Sequence, residues 1–101
     1  MTGVGLLPLR ALVEAHREEI KAIVSRHKGI GVALFGSVAR GEETAASDVD
    51  LLVEFAPGAS LFDLVRMQSD FEALLRRSVD VASRGGLLPE DDDILRDAIP
   101  L

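Results

Sequence analysis

The sequence predicts one small α/β (or α+β) domain, a small mixed sheet flanked by helices in the order α-β-(turn)-β-α-β-α. Three observations predict this class: amphipathic helix patterns, short apolar runs of strand length between them, and an interior with neither linker nor repeat. The chain has 101 residues, 48% of them hydrophobic, which is enough for one core and not for two. Residues 1–101 are therefore predicted to form one domain.

The first half of the chain follows from the spacing of its apolar residues. Over residues 8–27 they recur every three or four positions, which predicts an amphipathic helix stopped by Gly29. The apolar run 31–35 predicts a buried strand, 38–40 one helical turn, and 48–55 a second strand.

The second half continues the alternation. Ser60 and Asp63 have the spacing of a capping box. A helical stripe follows them as far as Arg76-Arg77; its members are Leu61, Leu64, Val65, Gln68, Phe71, Glu72 and Leu75. Residues 79–82 predict a third strand, and the acids that follow Pro89 predict a final helix over residues 89–98.

Composition excludes several classes of function. A net charge of −6 argues against sequence-independent binding to DNA or RNA, which depends on basic surface. The absence of cysteine excludes disulfides and thiolate chemistry, and it suits a reducing cytoplasm. Since no apolar run could span a bilayer and no signal peptide is evident, we expect a cytoplasmic protein without a membrane partner.

Two aspartates in the second predicted strand carry most of the chemical information. Asp48 and Asp50 are two positions apart, so their side chains point to the same face. Two carboxylates side by side repel each other and resist desolvation unless a cation lies between them. Oxygen ligands without histidine or cysteine favour Mg²⁺ or Mn²⁺. Asp80 adds a third strand carboxylate, which is the minimum for a two-metal site.

An anion site is predicted just before these aspartates. Gly36-Ser37 follows a strand and opens a helical turn, whose free N–H groups point at an anion. Arg40 could reach the same anion with its guanidinium group. Together with the carboxylates, this would place a triphosphate beside metal ions, as nucleotidyl transfer requires. Asp-x-Asp alone is common in turns and Gly-Ser alone in β-turns, so the prediction depends on their conjunction.

These residues match a known pattern. Gly36-Ser37, ten intervening residues and then Asp48-Val49-Asp50 resemble the signature of the nucleotidyltransferase superfamily typified by DNA polymerase β. The fuller pattern G-S-x-A-R-G…S-D-x-D-L-L-V resembles its smallest branch, the minimal nucleotidyltransferases (MNT). The resemblance covers residues 9–99 and implies the minimal polymerase β-like fold.

The resemblance also implies roles for individual residues. Asp48 and Asp50 would bind two Mg²⁺ ions, and Asp80 would ligate the catalytic ion and help to deprotonate the attacking hydroxyl. The triphosphate of ATP would be held by Gly36, Ser37 and Arg40. The chain departs from related sequences at Ser78, where a glycine before a basic residue is frequent, and at its end, which lacks a tyrosine.

A function follows from the same resemblance. MNT proteins resemble antitoxins paired with HEPN ribonuclease toxins and are associated with AMP transfer to a tyrosine of the toxin. The chain has no tyrosine, so such an acceptor must come from a partner. Two alternatives stay open: an antitoxin that acts by binding alone, and a small-molecule nucleotidyltransferase. The sequence leaves homo- and hetero-oligomers equally open.

Overall fold

The computed structural model describes residues 9–41, 48–84 and 98–101, which form a mixed sheet covered on one face by helices. In chain order the elements are α1 (Leu9–Ala15), α2 (Arg17–Arg26), β1 (Gly29–Phe35), α3 (Gly36–Arg40), β2 (Val49–Phe55), α4 (Leu61–Leu75), β3 (Val79–Ser83) and β4 (Ile99–Pro100). The predicted fold class is confirmed.

The four strands lie in the order β3-β2-β1-β4. β2 is antiparallel to β1 and parallel to β3, while β4 is antiparallel to β1. The C-terminal end of β1 therefore lies beside the N-terminal ends of β2 and β3. This arrangement determines where the predicted site residues meet.

The core lies between the sheet and the helices. Leu34, Leu51 and Val53 are fully buried on the helix-facing side of β1 and β2. Opposite them lie the buried side chains of the helices: Leu9, Val13, Ile20, Ile23, Val24, Met67, Phe71 and Leu75. Because successive strand residues alternate between faces, burial of the odd-numbered residues of β2 turns Asp50 away from this core.

The predicted first helix is interrupted. His16, with φ −109° and ψ 20°, separates α1 from α2, although the apolar spacing continues through it. The helix ends at Arg26, one residue before its predicted end, but the left-handed residue that follows it is Lys28, with φ 67°, and Gly29 already belongs to β1. Glycine is needed at this position because a Cβ atom there would lie 2.9 Å from the carbonyl oxygen of Val24 and overlap its side chain.

The second long helix buries only part of the predicted stripe, because its first turns are exposed and Met67, outside the stripe, is buried. Met67, Phe71 and Leu75 are buried, whereas Leu61 and Val65, both assigned to the apolar stripe, are 74% and 55% exposed. The predicted capping box is present: the Ser60 N–H donates to Asp63 Oδ2 at 2.8 Å. The helix ends at Leu75 and is capped by Arg76, which adopts the left-handed conformation with φ 55°.

The C-terminal strand was not predicted. β4 has only two residues and pairs Ala33 with Pro100 and Leu34 with Ile99. Residues 89–97 of the predicted final helix lie outside the described residues, as do residues 42–47 before Asp48. Among the helices that are described, none is long and apolar enough to cross a membrane.

Candidate active site

The aspartate pair lies at the start of β2, on the side of the sheet that faces away from the helical core. Asp48 immediately precedes the strand and is exposed, while Asp50 is its second residue and is half-buried. Val49, between them, is fully buried. The apolar residues of β2 therefore anchor the strand, and this burial directs both carboxylates outward on one side.

Asp80 is brought to the same place by the parallel pairing of β2 with β3. The register places Asp80 directly beside Asp50 and buried Val79 beside buried Val49. Neighbouring strands lie about 4.8 Å apart, so the two aspartates are adjacent on one face. Like charges opposite each other across strands are destabilising by themselves, which favours a cation between the two.

Gly36 completes the site from β1. Phe35, the last residue of β1, pairs with Asp50, so Gly36 comes next to that aspartate. Its φ is +76°, and a Cβ atom there would lie 3.1 Å from Asp50 Cγ and overlap Oδ2. Only glycine lets the carboxylate lie against the backbone where α3 begins.

Ser37 and Arg40 belong to α3, which Gly36 opens and Arg40 closes. Two residues between them, Val38 and Ala39, are buried in the core at 0% and 7% exposure. They fix this short helix against the ends of β1 and β2. The backbone of all three residues predicted to hold the triphosphate therefore lies at the edge of the sheet that carries the aspartates.

The site fits a hydrated cation better than a closed metal cage. Within the described residues, no group of three His, Cys, Asp or Glu side chains converges closely enough to hold a metal ion. Mg²⁺, however, usually keeps several waters and is held by one or two carboxylates together with substrate phosphates. Adjacent Asp50 and Asp80, with Asp48 close by in sequence, supply that kind of donor set.

One contact at the site was not predicted. The side chain of Glu72, on α4, accepts a hydrogen bond from the backbone N–H of Val79 through Oε2 at 3.0 Å. Val79 immediately precedes Asp80. The signal available in the sequence was a glutamate within the apolar stripe of a predicted helix, where a carboxylate needs a partner.

Two carboxyl groups with shifted pKa values lie in other parts of the molecule. The N–H of Ser60 holds the pKa of Asp63 below its ordinary value, and a hydrogen bond from His16 lowers the pKa of Glu19. Asp63 stabilises the start of α4, and Glu19 lies in the first turn of α2. Both shifts are explained by local helix geometry.

The fold and this grouping of a glycine turn with strand carboxylates define a nucleotidyltransferase of minimal size. The chain belongs to the nucleotidyltransferase domain family, whose model matches residues 14–99. It is similar to a Methanocaldococcus jannaschii protein provisionally named a protein adenylyltransferase, at 39% identity over 84 residues, covering 82% of this chain and 90% of the relative. Protein adenylyltransferase MntA of Thermococcus cleftensis is 37% identical over 78 residues, which cover 69% of this chain and 79% of the relative.

Solved structures agree with this assignment. One provisionally described as a minimal nucleotidyltransferase has a TM-score of 0.82 and 43% identity, covering 91% of this chain and 95% of the other. A complex of a tri-AMPylated Shewanella oneidensis HEPN toxin with its MNT antitoxin gives a TM-score of 0.65 at 14% identity, covering 86% of this chain and 69% of the other. At that identity the likeness concerns the fold alone.

Proposed function

We propose that this chain transfers AMP from ATP to a tyrosine hydroxyl of a HEPN-type toxin and thereby acts as its antitoxin in the cytoplasm. The observation that supports this most is the register of the sheet, which pairs Asp50 with Asp80 beside Gly36. The names of the relatives point to AMP as the transferred group and to a protein as the acceptor. The neighbouring complex, whose toxin carries three AMP groups, suggests the partner.

The proposed chemistry is an in-line displacement at the α-phosphorus of ATP. The hydroxyl oxygen of the acceptor forms a bond to this phosphorus, the bond to the pyrophosphate oxygen breaks, and pyrophosphate leaves. Asp80, which is exposed, would accept the hydroxyl proton. Mg²⁺, or Mn²⁺, when held by Asp48, Asp50 and Asp80, would neutralise phosphate charge.

The remaining residues would bind the nucleotide. Gly36 and Ser37 open α3 and would present backbone N–H groups to the triphosphate, while Arg40 would add its positive charge. None of the 101 residues is tyrosine, so the acceptor tyrosine would be supplied by the partner.

A second candidate function is neutralisation by binding alone. The first turns of α4 expose Leu61, Phe62 and Val65 at 74%, 75% and 55%. Exposed apolar side chains grouped in this way favour contact with another protein. An antitoxin acting through this surface would not need its carboxylates.

The decisive experiment measures the intact mass of the toxin after incubation with this chain and Mg·ATP. We expect the unmutated chain to add one or more AMP groups, and the double variant D48A/D50A to add none. Glu18→Ala serves as the matched control, because it removes an exposed carboxylate from α2, an element that contributes no residue to the candidate site.

The same variants separate the two candidate functions. If D48A/D50A still modified the toxin, the proposed mechanism would be wrong. If neither chain changed the mass of the toxin and both protected cells from it equally, neutralisation by binding would replace it. Removing Mg²⁺ with a chelator should abolish transfer and leave formation of the complex intact.

A further inference from the structure

In the sheet that the structure describes, the strand that carries Asp80 is an edge strand, so it is held by fewer backbone hydrogen bonds than β2, which is paired on both sides. β3 lies at one end of the sheet, has five residues and, within the described residues, pairs only with β2. The pairing is parallel, which is slightly less stable per residue than antiparallel pairing. Asp80 is the second residue of this strand, so its position depends on how well the first residues of β3 are fixed.

Glu72 contacts Val79, the first residue of β3, on the edge of the strand that faces away from β2. Val49 donates its N–H to the carbonyl oxygen of Ser78 at 3.1 Å, as a parallel ladder requires when Val49 pairs with Val79. In such a ladder the N–H of Val79 points away from β2. That outward N–H donates to Glu72 Oε2 at 3.0 Å.

The contact connects α4 to the site through one residue. Phe71 and Leu75, on either side of Glu72 along the helix, are buried against the sheet at 0% and 4% exposure. The glutamate therefore projects from a rigid part of the helix. Val79 is itself 1% exposed, and a shift of β3 by one residue would exchange it with Asp80 and bury the carboxylate.

We propose that Glu72 is a positioning residue: its carboxylate fixes Val79, the first residue of β3, and so holds Asp80 beside Asp50. Its importance for catalysis rests on the proposed function, whereas its effect on β3 does not. Because Glu72 is engaged by a backbone N–H, it serves the site without being a member of the ligand set. Groups that orient metal ligands in this way typically contribute about 10- to 100-fold to metal affinity or activity.

The experiment compares Glu72→Ala and Glu72→Gln with the control Glu18→Ala. Two quantities are measured at a temperature where all variants are folded: hydrogen exchange of the β3 backbone amides without metal, and Mn²⁺ affinity by calorimetry. We expect Glu72→Ala to speed exchange in β3 and to weaken Mn²⁺ binding by about 10- to 100-fold. Glu72→Gln should stay within about threefold of the unmutated chain, because its amide oxygen can accept the same hydrogen bond.

Two results would overturn the inference. One is a Glu72→Ala variant that matches Glu18→Ala in exchange and in Mn²⁺ affinity. The other is a Glu72→Gln variant that falls as far as Glu72→Ala, since acceptance of the Val79 N–H would then not be what matters. Failure of the proposed function is a different outcome: the toxin mass would stay unchanged with the unmutated chain, while exchange in β3 would still report the Glu72 contact.

Discussion

Replacing Gly36 with alanine tests whether the approach of Asp50 to the backbone governs activity. Two separate effects are expected. The first is conformational: at φ +76°, a residue with a Cβ atom costs about 1–2 kcal/mol more than glycine. For a domain of this size, that loss should lower the melting temperature by about 4–16 °C.

The second effect is specific to the site. The new methyl group would overlap Oδ2 of Asp50 and lie 3.1 Å and 3.3 Å from its Cγ and Cβ atoms. The carboxylate would have to move by roughly 1 Å, and a misplacement of that size can reduce a rate by about 100-fold. Gly36→Ala should therefore lose about two orders of magnitude in AMP transfer even when it is fully folded.

Gly58→Ala is the matched control. Gly58 also has a positive φ, +92°, but nothing lies within 4 Å of the position its Cβ atom would occupy. It should share the loss of stability and keep its activity. Thermal denaturation and AMP transfer are measured for both variants below their melting temperatures. Equal activities in the two variants would refute the assigned role of Gly36.

Two further predictions concern stability. Gly29→Ala should destabilise the fold by about 1–3 kcal/mol, because its Cβ atom would overlap the Val24 side chain. Gly31→Ala should be tolerated, because its Cβ atom would come no closer than 4.0 Å to a neighbour. Equal free energies of unfolding in urea for the two variants would contradict the packing around Gly29. The Ser60 N–H lowers the pKa of folded Asp63, so this carboxylate stabilises the protein above its unfolded pKa, and that contribution is lost as the pH falls below about 4. Asp63→Asn should remove this part of the acid dependence of unfolding, and an unchanged pH profile between 2 and 5 would count against it.

The sheet and its helices were largely predictable because their signals are local. The three predicted strands correspond to β1, β2 and β3, since short apolar runs bounded by turn residues bury themselves in this way. β4 was not predicted, because a strand of two residues, one of them Pro100, shows no periodicity in the sequence. The break at His16 left no signal either, because apolar residues continue at helical spacing on both sides.

The exposed stripe on α4 shows a limit of periodicity. Leu61 and Val65 share a helical face with Phe71 only approximately, and the sheet covers the neighbouring face that carries Met67. Spacing reveals that a helix is amphipathic, but the packing partner decides which of two adjacent stripes is buried. That choice depends on tertiary contacts.

The site was predictable in its residue types but not in its assembly. Alternation alone places Asp48 and Asp50 on one face of their strand. The pairing of Asp50 with Asp80 depends on the register between two strands, and the approach of Gly36 depends on the pairing of β1 with β2. The contact between Glu72 and Val79 depends on how α4 packs beside β3, and its partner is a backbone group that no sequence pattern identifies.

The order of the strands also determines when the site can form as the chain folds. Gly36 and Asp50 come together within one antiparallel pair, but Asp80 joins them only after α4 has crossed over to set β3 parallel to β2. Contacts between distant parts of a chain form slowly compared with local ones. A nascent or partly unfolded chain could therefore present the first two groups without the third. During synthesis, the proposed site could be completed only after β3 has been made and has paired with β2.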